Sequence, residues 1–201
     1  CTTGRSMEEP SDAERILMTR VESMLQEMKW PSRVTRKNIG SDPNRRAFAL
    51  GKVYQYDRPR ELVESRFNRV YPELYSALTR LMRLHAPTFR FNSIQLNANV
   101  HTEPHYDTNN CGPSYAIGLG RFTGGGLVLY PDKASDGVRL RNKRRWVHFN
   151  GATTLHGSIP VTSGTRYAII FFTRKTPGAR SPRRSGSSRA RRGSPRAPRS
   201  R

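Results

Sequence analysis

From residue 93 to residue 100 the chain alternates without a break: Ile94, Leu96, Ala98 and Val100 take one parity, and Ser93, Gln95, Asn97 and Asn99 the other. Successive side chains of an extended strand project to opposite faces, so this run is a strand with one apolar face and one face of amides. A face built from amides lines a polar pocket, not a dry core. The runs 114 to 122, 126 to 131, 144 to 150 and 165 to 173 read as further strands separated by Gly-rich or charged turns. Short strands at this spacing close into a barrel or pack as a sandwich.

The residues able to carry chemistry gather in the same region. His105 and Asp107 stand two apart, so on an extended backbone an imidazole and a carboxylate share a face. His156 supplies a second imidazole, which completes the two-His, one-carboxylate set that suits non-haem Fe(II) and leaves coordination positions open. His101 and Glu103, with the same spacing and geometry, form a rival pair. A hairpin turning near Val161 would set Arg166 opposite His156, with Cβ atoms about 5 Å apart. On the face of Ala168 and Ile170 the guanidinium would be shielded from water and need an anion. A dicarboxylate chelating the metal at one end would provide it.

These motifs, an HxD, a distal His and a basic residue about ten positions later, resemble the 2-oxoglutarate-dependent Fe(II) dioxygenases. The flanking stretches narrow the likeness: Asn109-Asn110-Cys111-Gly112-Pro113-Ser114, the run from Gly118 through Phe122-Thr123-Gly124-Gly125-Gly126-Leu127, and Phe149-Asn150-Gly151. Over roughly residues 46 to 173 the chain resembles the branch of the ten-eleven-translocation (TET) and J-binding-protein (JBP) enzymes, which oxidise the methyl group of pyrimidines in nucleic acid.

That resemblance implies a mainly β fold with flanking helices (α+β) around a double-stranded β-helix core of jelly-roll, cupin-like form. It implies Fe(II) on His105, Asp107 and His156, with 2-oxoglutarate held by Arg166, Asn97 and Asn99. O2 and 2-oxoglutarate would be consumed, giving succinate and a hydroxylated substrate, with ascorbate as a stimulant. Many relatives carry Ser or Thr two residues after the basic residue, where this chain has Ala168; a hydroxyl from Tyr115, Ser114 or Tyr130 is expected to compensate. Asn110 matches a position that touches the base, and His101 and His148 are placed near the substrate. Two other readings stand beside this one. A prolyl-hydroxylase-like oxygenase shares the FxGGxL run but usually has Lys where this chain has Arg166; the other is a catalytically inactive nucleic-acid-binding protein on the same fold.

Charge points to the substrate class. The 201 residues hold 36 Lys and Arg against 15 Asp and Glu, a formal net charge of +21. Nine Arg and no acid lie in 176–201; without them the balance is 36 − 9 − 15 = +12, so the remainder is itself basic. Such a charge fits a nucleic-acid substrate, and the resemblance implies a flipped methylated pyrimidine, 5-methylcytosine or thymine, in DNA in preference to RNA. The Arg/Ser/Pro composition of 176–201 buries too little to fold and reads as a disordered polyanion-binding tail.

Two cysteines, Cys1 and Cys111, make no disulfide framework and suit a reducing, intracellular and nuclear setting. No apolar run spans a membrane. The chain starts at Cys1 with no Met, which leaves a leader open, and a monomer is expected.

Ahead of the strands, Ser11-Asp12-Ala13-Glu14 is a capping-box pattern, and Leu17, Val21, Met24, Leu25 and Met28 recur at helical spacing until Trp30-Pro31. A basic loop follows over 32 to 46, then an edge strand over 47 to 56, a helix opened by Pro59, and a second packing helix from Pro72 to about His85, itself an ordinary helix-end residue. The expected divisions are 1–45 (helix and basic loop), 46–175 (dioxygenase domain) and 176–201 (tail).

Overall fold

The computed structural model describes residues 7–31, 45–55, 61–132 and 136–176. The Arg-rich tail, Cys1 and most of the expected basic loop lie outside them. The first strand is β1 (Met7–Glu8), followed by helix α1 (Asp12–Glu27), β2 (Arg46–Tyr54), β3 (Leu62–Glu64), the short α2 (Phe67–Val70) and α3 (Pro72–His85). Then come β4 (Ser93–Ala98), β5 (Ser114–Leu119), β6 (Phe122–Gly124), β7 (Leu127–Tyr130), β8 (Val138–Leu140), β9 (Trp146–Phe149), β10 (Leu155–Ser158), β11 (Val161–Gly164) and β12 (Tyr167–Phe172).

A large sheet runs β1-β9-β5-β12-β4-β2-β3, and two smaller ones, β10-β7-β8 and β11-β6, complete the β architecture. Strand parity decides what each face of the large sheet meets. Leu96, Ile117, Ile169 and Phe171 form the main core together with Val21 and Leu25 of α1 and Leu78 and Leu81 of α3. The opposite parity, Gln95, Asn97, Ala116, Ala168 and Ile170, lines a cavity. The alternation read in residues 93 to 100 is thus the alternation between core and cavity.

The capping box of α1 forms as expected: Ser11 Oγ accepts from Glu14 N–H, and Glu14 Oε2 accepts from Ser11 N–H. Glu14 also does more than cap. Its Oε1 accepts from Trp146 Nε1 at 2.8 Å and lies 3.0 Å from His85 Nδ1, which ties α1 to β9 and to the end of α3. His85 is therefore not an ordinary helix-end residue, since its side chain is 5% exposed and stacks on Trp146 at 4.5 Å between ring centroids. Burial by itself would raise the Glu14 pKa, but hydrogen bonds from Ser11 and Trp146 and the neighbouring His85 bring it below the ordinary value. The carboxylate's contribution to stability is present above the ordinary carboxylate range and is lost as pH falls through its lowered pKa. Glu14→Ala should destabilise the fold by about 2 to 4 kcal/mol, the sum of a lost cap and an orphaned indole N–H. Urea denaturation at neutral pH checks this, and the deficit should shrink at acid pH.

Three expectations are corrected. Strand β2 is at the edge over only part of its length, because β3 pairs outside it over 52–54, with Val53 opposite Val63. The helix expected from Pro59 gives way to β3 and α2, since Leu62 and Val63 join the sheet beside β2. The strand expected over 114 to 122 breaks at Gly120, which has φ 103 and whose ideal Cβ would lie 2.2 Å from Thr165 O. No L side chain fits there.

Candidate metal centre and cavity

The expected hairpin between residues 156 and 166 does not form. Strand β10 pairs with β7, placing His156 opposite Leu129, and β11 pairs with β6. Each short strand crosses to another partner, so no register links His156 to Arg166. The two residues still share one cavity, His156 from a small sheet and Arg166 from the entry to β12.

At one end, one donor atom each from His105, Asp107 and His156 lie within 4.8 Å of one another. His105 and His156 face each other across an isolated antiparallel bridge, closed by His105 N–H to His156 O at 2.8 Å and His156 N–H to His105 O at 3.1 Å. Both rings are oriented by backbone carbonyls: His105 Nδ1 lies 2.7 Å from Glu103 O and His156 Nδ1 lies 2.9 Å from Thr154 O. A carbonyl accepts only, so each Nδ1 carries the proton and each Nε2 presents a lone pair. Those Nε2 atoms stand 3.7 Å and 3.6 Å from the Asp107 carboxylate oxygens, beyond hydrogen-bond reach. Two lone pairs aimed at a carboxylate make a donor set that a cation fits.

Asp107 is itself held. Its N–H donates to Gly151 O at 2.8 Å, and its Oδ2 accepts from Asn110 Nδ2 at 3.2 Å. Gly151 sits so close that an ideal Cβ there would be 3.1 Å from Asp107 Oδ2 and 3.3 Å from His156 Cε1. Asn110 lines the cavity and is buried, with its amide Nδ2 donating to Asp107.

At the other end lies Arg166, 4% exposed. Burial pushes its pKa down to about 10, so the guanidinium remains charged at neutral pH. Its Nε has no hydrogen-bond partner, and its Nη2 donates to Asn142 Oδ1 at 3.5 Å. Among the described residues no carboxylate pairs with it. A buried cation with unused donors fits an anionic ligand.

The remaining expected site residues divide. Asn97 lines the cavity, whereas Asn99 does not, because β4 ends at Ala98 and Asn99 adopts a left-handed φ of 52. That turn sends its side chain to the backbone of Arg166, whose N–H donates to Asn99 Oδ1 at 2.8 Å. Tyr115 and His148 are cross-strand partners with the parity that faces the helices, and they stack at 4.5 Å away from the cavity. Neither lines the cavity. Tyr130 is likewise absent from the cavity wall, and His101 lies 3.8 Å from Glu103 outside it. Sequence reasoning misses Asn142, a buried amide within the cationic run from Arg139 to Arg145; its only local signal is being the one uncharged polar residue there.

No protein-family model matches the sequence, and no curated protein matches it. Solved structures do. NgTET1 in complex with 5mC DNA superposes with TM-score 0.52 at 15% identity over 85% of this chain and 71% of that one. OsALKBH1 gives TM-score 0.54 at 13% identity, covering 86% of this chain and 98% of that one. An oxidoreductase of the 2OG-Fe(II) oxygenase family from Burkholderia pseudomallei gives 0.53 at 17% identity, covering 84% and 83%. The described residues, three helices on a mainly β architecture with a His/Asp/His cluster and a buried Arg in one cavity, thus have the double-stranded β-helix fold of the 2-oxoglutarate- and Fe(II)-dependent oxygenases, the superfamily that the sequence motifs resemble.

Proposed function

We propose that this chain is a 2-oxoglutarate- and Fe(II)-dependent oxygenase that hydroxylates a methylated pyrimidine base in nucleic acid. One observation carries the reading: a two-His, one-Asp donor set and an anion-seeking buried arginine at two ends of a single cavity. Fe(II) would be held by Nε2 of His105, Nε2 of His156 and the Asp107 carboxylate, and the distal carboxylate of 2-oxoglutarate by Arg166, with Asn97 on the same wall. When bound, the iron and its cosubstrate supply oxidation of a substrate C–H bond by O2, coupled to decarboxylation of 2-oxoglutarate.

The protein's own part is aim and shielding. Carbonyls fix both imidazole tautomers, Asn110 orients the carboxylate, and the apolar residues Leu127, Phe149 and Ile170 exclude water from the cavity between the two ends. Asn110→Ala should leave the fold intact and weaken divalent-metal affinity by about 10- to 100-fold, the usual effect of removing a group that orients a ligand. Equilibrium titration with Mn(II) checks this.

The nucleic-acid substrate rests on the net charge of +21 and on the likeness to NgTET1, solved with 5mC DNA. The test is incubation with Fe(II), 2-oxoglutarate, ascorbate and methylated or unmethylated DNA and RNA, followed by mass spectrometry of nucleosides and succinate. Hydroxylated 5-methylcytosine or thymine supports the reading. Succinate released only with protein substrates favours the prolyl-hydroxylase-like alternative, and its complete absence favours an inactive binding protein. Deleting 176–201, with its nine Arg, should weaken DNA or RNA binding and flatten its log-log salt slope by about 0.7 to 0.9 for each phosphate no longer neutralised. Base choice at saturating substrate should survive, because phosphate contacts carry no base identity. No helix among the described residues is long and apolar enough to cross a membrane.

A further inference from the structure

Around Ala168 the sheet carries small side chains on adjoining strands. The cross-strand partners of Ala168 are Asn97 on β4 and Gly118 on β5, so two small residues lie side by side on the face below Arg166. Beyond Gly118 the segment 141–145 folds over the sheet: Gly118 N–H donates to Asn142 O at 2.9 Å and Arg144 N–H to Gly118 O at 2.8 Å. This segment is anchored from behind. Arg144, with φ 52, pairs with Glu22 on α1 at 2.9 Å and donates to Thr19 Oγ1 at 2.7 Å. The anchored turn drives Asn142 into the cavity, where it is 2% exposed.

The neighbouring guanidinium decides which way the Asn142 amide points. Arg166 offers only donors, so Oδ1 must face it, as the 3.5 Å contact with Nη2 shows. Nδ2 is then left with two donor hydrogens and makes no hydrogen bond among the described residues. Arg166 Nε, also without a partner, lies 3.6 Å from an ideal Cβ on Gly118, beside the same hollow. Two side chains that touch through Nη2 and Oδ1 thus each keep an unused donor, beside Ala168 and Gly118, which offer no polar side-chain atom.

We infer that Asn142 is a cosubstrate-binding residue: its Nδ2 donates to the distal carboxylate of 2-oxoglutarate while its Oδ1 holds the Arg166 guanidinium, the role a hydroxyl at position 168 would otherwise fill. This rests on reading the cavity as a 2-oxoglutarate site. It also makes the 141–145 turn, and through it α1, part of the binding apparatus.

The test is calorimetric titration of the full chain, loaded with Zn(II) so that no turnover occurs, with 2-oxoglutarate and with pyruvate, which lacks the distal carboxylate. Asn142→Ala should weaken 2-oxoglutarate binding by about 10- to 100-fold, the loss of a hydrogen bond to a charged group. Pyruvate and Zn(II) affinities should stay unchanged. Asn142→Leu, which keeps the branched four-atom side chain without its polar atoms, should behave the same way should the alanine variant fold poorly, and Ala168→Ser added to either should restore part of the affinity. Unaltered 2-oxoglutarate binding in both variants overturns the inference, as does an equal loss for pyruvate, which would make Asn142 merely structural. Wild-type protein that takes up Zn(II) but binds no 2-oxoglutarate would instead overturn the reading of the cavity.

Discussion

Alanine at His105, Asp107 or His156 should abolish both divalent-metal binding and succinate formation while the protein stays folded. The fold should tolerate the change because His105 and Asp107 side chains are about a quarter exposed, 26% and 28%, and make no part of the main core. The effect should be visible without activity. Mn(II) at about one hundred times its dissociation constant should add about 2.7 kcal/mol to wild-type stability. For a chain of this length that is a rise of about 5 to 10 °C in melting temperature. Each alanine variant should lose this shift. Wild-type succinate formation by His105→Ala would move the metal to His101 and Glu103.

Arg166 should show activity and stability pulling apart. Arg166→Ala removes the sole cation found at the far end of the cavity among the described residues, and should raise the 2-oxoglutarate requirement by about 30-fold or more, from a charge-assisted interaction of on the order of 2 to 5 kcal/mol. Arg166→Met keeps the aliphatic bulk and should be equally impaired yet more stable than wild type. Burial has pushed the guanidinium pKa well below its ordinary value, to about 10, which marks the charged form as disfavoured in the folded state at neutral pH by on the order of 3 kcal/mol. Loss of the donor to Asn142 Oδ1 offsets part of that, leaving an expected gain of about 1 to 2 kcal/mol. Urea unfolding with and without 2-oxoglutarate separates the two effects. A methionine variant less stable than wild type would mean that the arginine is better paired than its surroundings indicate.

The parts of this architecture legible in the sequence are those with local causes. The capping box of α1 needs only residues 11 to 14, and the two faces of β4 need only the parity of residues 93 to 98. The triad and Arg166 are readable because few other residue types at those spacings could serve a metal and an anion. What escapes the sequence depends on partners distant along the chain or on backbone torsions. Asn99 leaves its expected face through a positive φ, which Asn tolerates and sequence parity does not register. Tyr115 and His148 take the helix side because the pairing of β5 with β9 puts both on that face. The 156–166 hairpin is displaced by pairings to β7 and β6, and nothing local distinguishes those partners. Asn142 owes its position to Arg144 gripping α1, over a hundred residues away.

The carbonyl contacts at His105 Nδ1 and His156 Nδ1 bear on competition among metals. Because both imidazoles are locked with their lone pairs forward, no rearrangement of the rings is left to discriminate one divalent ion from another. Such a donor set follows the Irving–Williams order, in which Fe(II) ranks below Co(II), Ni(II) and Cu(II). With iron bound as proposed, Co(II) or Ni(II) at comparable free concentration is expected to compete for these donors, so metal supply bears on which ion is held.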